Sequence, residues 1–95
     1  MTGSKRCSPE QVGKRIRLLR TALGLSQAEF GKPIKVSPSA VSNFERGDNR
    51  PGIECAAELC EFYGVTFDWL YLGRADTLQY RIARLLQAAG AEPPS

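Results

Sequence analysis

Histidine is missing from the 95 residues, and cysteine occurs three times, at Cys7, Cys55 and Cys60. With no imidazole, and thiols at no metal-ligand spacing, the chain has no zinc site to offer. Cys55 and Cys60 sit five apart in a helical stretch and so point in different directions, which argues for reduced thiols and against a mutual disulfide. No apolar run approaches the roughly 20 residues that span a bilayer, and the opening MTGSKRCSPE lacks the apolar core of a signal peptide. The expected compartment is therefore the cytoplasm, without a membrane partner. Paired acids in a cleft-like context and a glycine-rich phosphate loop are missing too, so an enzyme is the weakest of the function classes and no cofactor is implied.

Charge is plentiful but lopsided. Residues 1–50 hold ten Lys and Arg against four Asp and Glu, a net of +6, while the whole chain is +3, which leaves −3 for the second half. Such asymmetry fits a polyanion-facing side and a neutral or acidic back, although a basic half by itself is also what an ordinary solvated surface looks like. An apolar content of 42% supplies one modest core, hence one domain with tails.

Helix signals follow one another closely. Ser8, Pro9 and Gln11 form a cap, a first helical proline and a capping box. Val12, Ile16, Leu19 and Leu23 then share one face, and Gly24 suits a left-handed helix end. Ser26 and Glu29 make a second capping box opening at Gln27. Pro33 lies where that helix would continue, removes the amide owed to the Glu29 carbonyl and crowds it, so the second helix ends or kinks near Lys32. Ser37 and Pro38 again give cap then proline, and a third helix runs to Gly47. Between them remain Lys35 and Val36, flanked by apolar side chains. The segment GKPIKVSPSA is thus a built corner between two short helices, the helix-turn-helix arrangement.

LSQAEFGKPIKVSPSAVSNFERG, followed by RPGIECAAELCEFYGVTFDWLYLG, resembles the lambda-repressor-like family (Cro and repressor, or xenobiotic-response-element, type). The pattern includes Leu25, Ser26 and Gln27, apolar Phe30, Ile34, Val36, Val41 and Phe44, then Glu45, Arg46 and Gly47, and the closing FDWLYLG. It implies an all-α fold: a five-helix helix-turn-helix domain over residues 8–73, preceded by a mobile basic arm at 1–7. An additional C-terminal amphipathic helix follows at 74–90, then a disordered tail at 91–95. The chain departs from the family at Gly31, where Ala is usual, and at Lys35, where the turn usually has Gly. A non-glycine residue at positive φ costs about 1–2 kcal/mol, so either Lys35 accepts that strain or Pro33 has reshaped the turn.

With Val41 and Phe44 turned to the core, the third helix leaves a slim polar face of Ser39, Ser42, Asn43 and Arg46. Such a face suits the major groove, where Asn bonds adenine at two points and Ser serves several bases. The expected base contacts are Ser37, Pro38, Ser39, Ser42 and Asn43. Phosphate contacts are expected from Gln27 and the amino ends of the second and fourth helices, from Arg46 and Arg50, and from Lys5 and Arg6 on the arm. The resemblance carries Gln27 and Asn43 over to DNA contact. It also implies a partly buried structural salt bridge between Arg20 and Glu45.

Ile53, Ala56, Leu59, Cys60 and Tyr63 form an apolar face on a fourth helix, and Thr66 caps a fifth that packs Phe67, Trp69 and Leu70. In ADTLQYRIARLLQAAG, Asp76 and Gln79 make another capping box. Leu78, Ile82, Leu85 and Leu86 form a stripe that must cover either the chain's own domain or a second copy, the dimer interface that family practice favours. The function expected is a sequence-specific, double-stranded-DNA-binding transcriptional regulator, a repressor on a palindromic operator as a homodimer. The alternative is an antitoxin or protein-interaction module whose C-terminal helix binds a partner protein.

Overall fold

Ser8 opens the first long helix, α1 (Pro9–Ala22), in a computed structural model that describes residues 3–90. Met1, Thr2 and the tail expected at 91–95 lie outside the described residues. The Ser8 hydroxyl accepts from the Gln11 amide at 3.2 Å, but the return half of the expected capping box is absent. The Ser8 amide instead donates to the Lys5 carbonyl at 3.2 Å. That bond belongs to a 3-10 helix over Gly3–Cys7, where the sequence suggests a free arm. Two arginines clamp this turn: Arg15 donates to the Arg6 carbonyl and Arg50 to the Cys7 carbonyl, at 2.7 and 2.8 Å.

Helix α2 (Gln27–Gly31) carries a complete capping box between Ser26 and Glu29. Its α-helical winding stops at Gly31 and tightens into a 3-10 turn, Lys32–Ile34, around Pro33. Lys35 then takes the left-handed conformation, at φ 62° and ψ 41°, so the turn keeps its positive φ and the lysine accepts the strain. Gly31 explains how. The Val36 amide donates back to the Gly31 carbonyl at 2.9 Å, and a Cβ built on Gly31 would lie 2.2 Å from the Val36 carbonyl oxygen. The two departures from the family pattern are therefore one device: a corner drawn so tight that its first residue has no room for a methyl group. Buried Ile34 holds the corner from inside, and Tyr63 donates its hydroxyl to the Phe30 carbonyl at 2.6 Å while stacking on the Phe30 ring.

Helix α3 (Pro38–Arg46) crosses α1 closely enough that a Cβ on Gly13 would stand 2.1 Å from the Phe44 carbonyl oxygen. Helices α4 (Ile53–Tyr63) and α5 (Phe67–Leu72) complete the core with Ala56, Leu59, Tyr63, Trp69 and Leu70. Ile53 and Phe67, expected in that core, are 74% and 41% exposed. Ile53 sits at the first residue of its helix, beyond reach of the α1 layer, and Phe67 lies outside on Tyr71. Cys60 is half-buried and packs against the core.

The last helix, α6, is shorter than expected: Tyr80–Ala88. No Asp76–Gln79 capping box forms, because Ala75–Thr77 wind as a 3-10 turn. The Thr77 hydroxyl binds the Arg74 carbonyl and the Thr66 hydroxyl that caps α5. Within the single chain the apolar stripe lies partly on its own domain. Leu86 is buried, Leu78 and Ile82 pack against the core, and Leu85 is half-buried. Three of the four side chains expected in a dimer interface thus pack at least partly on their own domain within the single chain, which removes apolar surface from water.

Gly31→Ala is expected to lower the urea midpoint by the equivalent of about 1–3 kcal/mol, the usual cost of overpacking. A midpoint unchanged would mean that the corner relaxes freely. Tyr63→Phe strips the Phe30 carbonyl of a buried donor, and a loss of about 1–3 kcal/mol is expected in the same measurement.

Candidate nucleic-acid interface

Local chemistry builds α3 at both ends. The Ser37 hydroxyl accepts from the Ala40 amide at 3.1 Å with Pro38 at the first helical position. At the other end Gly47, at φ 82°, turns the chain back: its amide bonds the Phe44 carbonyl and the Asp48 amide bonds the Asn43 carbonyl. These paired bonds close a Schellman motif. Val41 and Phe44 anchor the inner side, while Ser37, Pro38 and Ser39 are exposed and Ser42 and Asn43 half-buried on the outer side. The five side chains expected to read bases therefore share one edge of the molecule.

Arg46 lies along that edge. Its guanidinium donates to the Ser42 hydroxyl at 2.7 Å, to the Asn43 side-chain oxygen, and to Asp48 at 2.9 and 3.2 Å. In the folded chain this expected phosphate ligand joins two of the side chains expected to read bases, Ser42 and Asn43, to an acid. Asp48 has no counterpart among the residues singled out from the sequence. The signal that finds it is the left-handed Gly47, which folds residue 48 back over residue 46.

Glu45 leaves the helix on the other side and is nearly enclosed, with 6% of its side chain exposed against 15% for Arg20. Arg20 donates Nε to Glu45 Oε2 at 2.6 Å and Nη2 to Oε1 at 3.0 Å, a two-point pairing, and Nη1 to the Leu25 carbonyl at 2.9 Å. The carboxylate raises the Arg20 pKa further above its ordinary value, through that hydrogen bond first and against the opposing pull of burial. Gln27 also donates to Glu45 Oε1, at 3.2 Å, so its amide is oriented at the amino end of α2 by the same carboxylate.

The remaining cations are spread more widely. Arg50, on the loop between α3 and α4, is drawn to the Cys7 carbonyl, which places the 3-10 turn carrying exposed Lys5 and Arg6 beside that loop. The amino end of α4 follows Gly52, whose lack of a side-chain cap leaves the amides of Ile53, Glu54 and Cys55 without intrahelical partners. Ile82, Leu85 and Leu86 belong to α6, which packs on α1, and Leu78 lies in the turn before it. Among the described residues no cluster of His, Cys, Asp and Glu is disposed to hold a metal ion, and no helix is long and apolar enough to cross a membrane.

A helix-turn-helix family model matches residues 16–70, the stretch from the middle of α1 to α5. The chain is similar to two HTH-type transcriptional regulators, both named as uncharacterized, from Sinorhizobium medicae (strain WSM419) and Rhizobium meliloti (strain 1021). Each is 32% identical over 60 residues, covering 63% of this chain and 43% of the relative. It is also similar to the HTH-type transcriptional activator BcrR of Enterococcus faecalis, 30% identical over 63 residues, 66% of this chain and 31% of that one. The chain thus spans less than half the length of these relatives. No solved structure matches it significantly.

Glu45→Ala would leave Arg20 enclosed without its acid and release Gln27. The expected loss is about 3–5 kcal/mol, as when one member of a buried pair is removed. Equilibrium urea denaturation measures it, and a loss below about 1 kcal/mol, the value of an exposed pair, would contradict the burial described here.

Proposed function

The chain belongs to the lambda-repressor-like helix-turn-helix family, a group of DNA-binding transcription regulators, and from that premise we propose that it reads a specific double-stranded site with the outer edge of α3 in the major groove. The observation that carries this reading is the division of α3 itself, with Val41 and Phe44 clamped in the core and Ser39, Ser42 and Asn43 on the free side. In this reading Asn43 takes an adenine at two points, and Ser39 and Ser42 donate or accept beside it. Ser37 and Pro38 set the depth of entry, and Gln27 meets a phosphate next to the amino end of α2. Arg50, Lys5 and Arg6 serve neighbouring phosphates. Arg46 swings between its present partners and the backbone.

A palindromic operator calls for two copies one helical turn apart. With the α6 stripe folded inward, exposed Phe62 and Phe67, which flank the turn between α4 and α5, are among the apolar side chains a second copy could cover, with Ile53, Leu72 and Tyr80 exposed elsewhere. Occupancy alone blocks transcription where an operator overlaps a promoter, so repression needs nothing beyond these duplex contacts. The Enterococcus faecalis relative is named as an activator, and the sign of the output follows from operator position. The interaction-module alternative relied on the α6 stripe to hold a partner protein, and the packing of Leu78, Ile82 and Leu86 against the chain's own core takes that support away.

Selection of bound duplexes from a random pool is expected to yield a defined site, and Asn43→Ala to relax the preference at one or two positions without abolishing binding. An unchanged preference would move the reading role off Asn43, and no enrichment at low salt would overturn the proposal. With about eight phosphate contacts per dimer, the log–log salt slope of affinity should be near −7.

A further inference from the structure

The side of α1 turned away from α3 borders a cleft of about 760 Å3, closed by the end of α5, the following turn and α6. Arg6, Lys14, Arg15 and Arg74 bring four cations to its wall, against the single carboxylate of Asp76. Leu72 and half-buried Leu78 supply apolar surface beside them, with buried Trp69 and Leu86 directly beneath. The volume falls within the range of small-molecule sites, and the wall is about half polar, with convergent cations on one side and leucines on the other.

Arg15 is the telling group. Its Nη1 donates to the carbonyls of Arg6 and Leu70, at 2.7 and 2.9 Å, which fixes the guanidinium in the cleft. Its Nε and Nη2 donate to nothing among the described residues, and the ion pairs among those residues involve Arg20, Arg46 and Arg74 instead. The guanidinium lies over Gly73, where a Cβ would come within 2.9 Å of Nη2. Burial pushes its pKa below the ordinary arginine value, and Arg6 adds to that. A guanidinium partly removed from water, flanked by further cations and left with a free two-donor edge, is matched by a carboxylate. Arg74 keeps a loose link to Asp68, at 3.9 Å, so it too can turn to an anion.

Apart from Arg6, these cations are not ones assigned to a duplex. Helix α1 meets α3 through Gly13, and Lys14, Leu18, Gln11 and Arg15 follow roughly 100–200° further round the helix.

We propose that this cleft binds a small amphipathic organic anion, its carboxylate on the Nε–Nη2 edge of Arg15 and its aliphatic or aromatic body against Leu72 and Leu78, next to Trp69. Trp69 is the chain's single tryptophan, so its emission reports occupancy directly. The full chain is titrated at fixed ionic strength with decanoate and with 1-naphthoate, and in parallel with decanol and acetate. A saturable change is expected with at least one of the two amphipathic anions, and affinities weaker by about tenfold or more for decanol and acetate, which each lack one half of the recognition. Arg15→Gln should weaken anion binding by about tenfold, and Lys14→Gln with Arg74→Gln, both exposed, several-fold, with circular dichroism unchanged. No saturable response to either anion overturns the site. So does equal affinity for decanol, which would leave an apolar surface only. Should Arg15→Gln fail to fold, the exposed double variant decides, and an affinity equal to that of the unaltered chain overturns the proposal.

Discussion

Glu45 accepts three hydrogen bonds, two from Arg20 and one from Gln27, inside a shell that leaves 6% of its side chain exposed. One carboxylate therefore ties α1, α2 and α3 together, and the third arm of Arg20 adds the turn at Leu25. A charge enclosed to this degree tolerates few geometries, because every lost hydrogen bond leaves a desolvated group without compensation. Apolar packing would hold α3 to the body at many slightly different angles. The ion pair selects among them, and it does so from the residue next to Phe44, the side chain that seats the helix.

The corner between α2 and α3 works in the same direction by steric means. Pro33 stops the α-helix, Lys35 accepts a left-handed conformation, and the Val36 carbonyl closes on Gly31 where no Cβ intervenes. Each is locally unfavourable or restrictive. Buried Ile34, the stacked Phe30 and Tyr63 rings and the hydroxyl of Tyr63 on the Phe30 carbonyl outweigh them together. A rigid entry to α3 means that its exposed serines and Asn43 move as one body with the core. A helix that must fit a groove needs that property, since side chains read bases only from a defined distance.

Much of this was legible in the chain because the signals are local. Caps at Ser8, Ser26, Ser37 and Thr66 depend on a hydroxyl and an amide three residues on, and each is present in the structure. Core positions on α1 and α3 follow from helical spacing. Where sequence and structure part, the cause lies further away along the chain. Asp76 caps no helix because Thr77 is held by Thr66, eleven residues earlier. Gly3–Cys7 wind up because arginines at 15 and 50 reach their carbonyls. Arg46 turns onto Ser42 and Asn43 because Asp48 comes back over it.

By itself the sequence determined where α1 to α5 start and stop, most of the apolar face of each, and that a short polar helix follows a tight corner, since these are properties of neighbours along the chain. Only the tertiary structure decided how the C-terminal stripe lies against its own chain, what Gln27 and Arg46 bond to in the folded chain, and that Arg15 stands in a cleft with its Nε and Nη2 donors unused. Those outcomes depend on which surfaces compete for the same side chain in space. Two covers of equal apolarity, or two acceptors of equal strength, cannot be ranked until the distances are known.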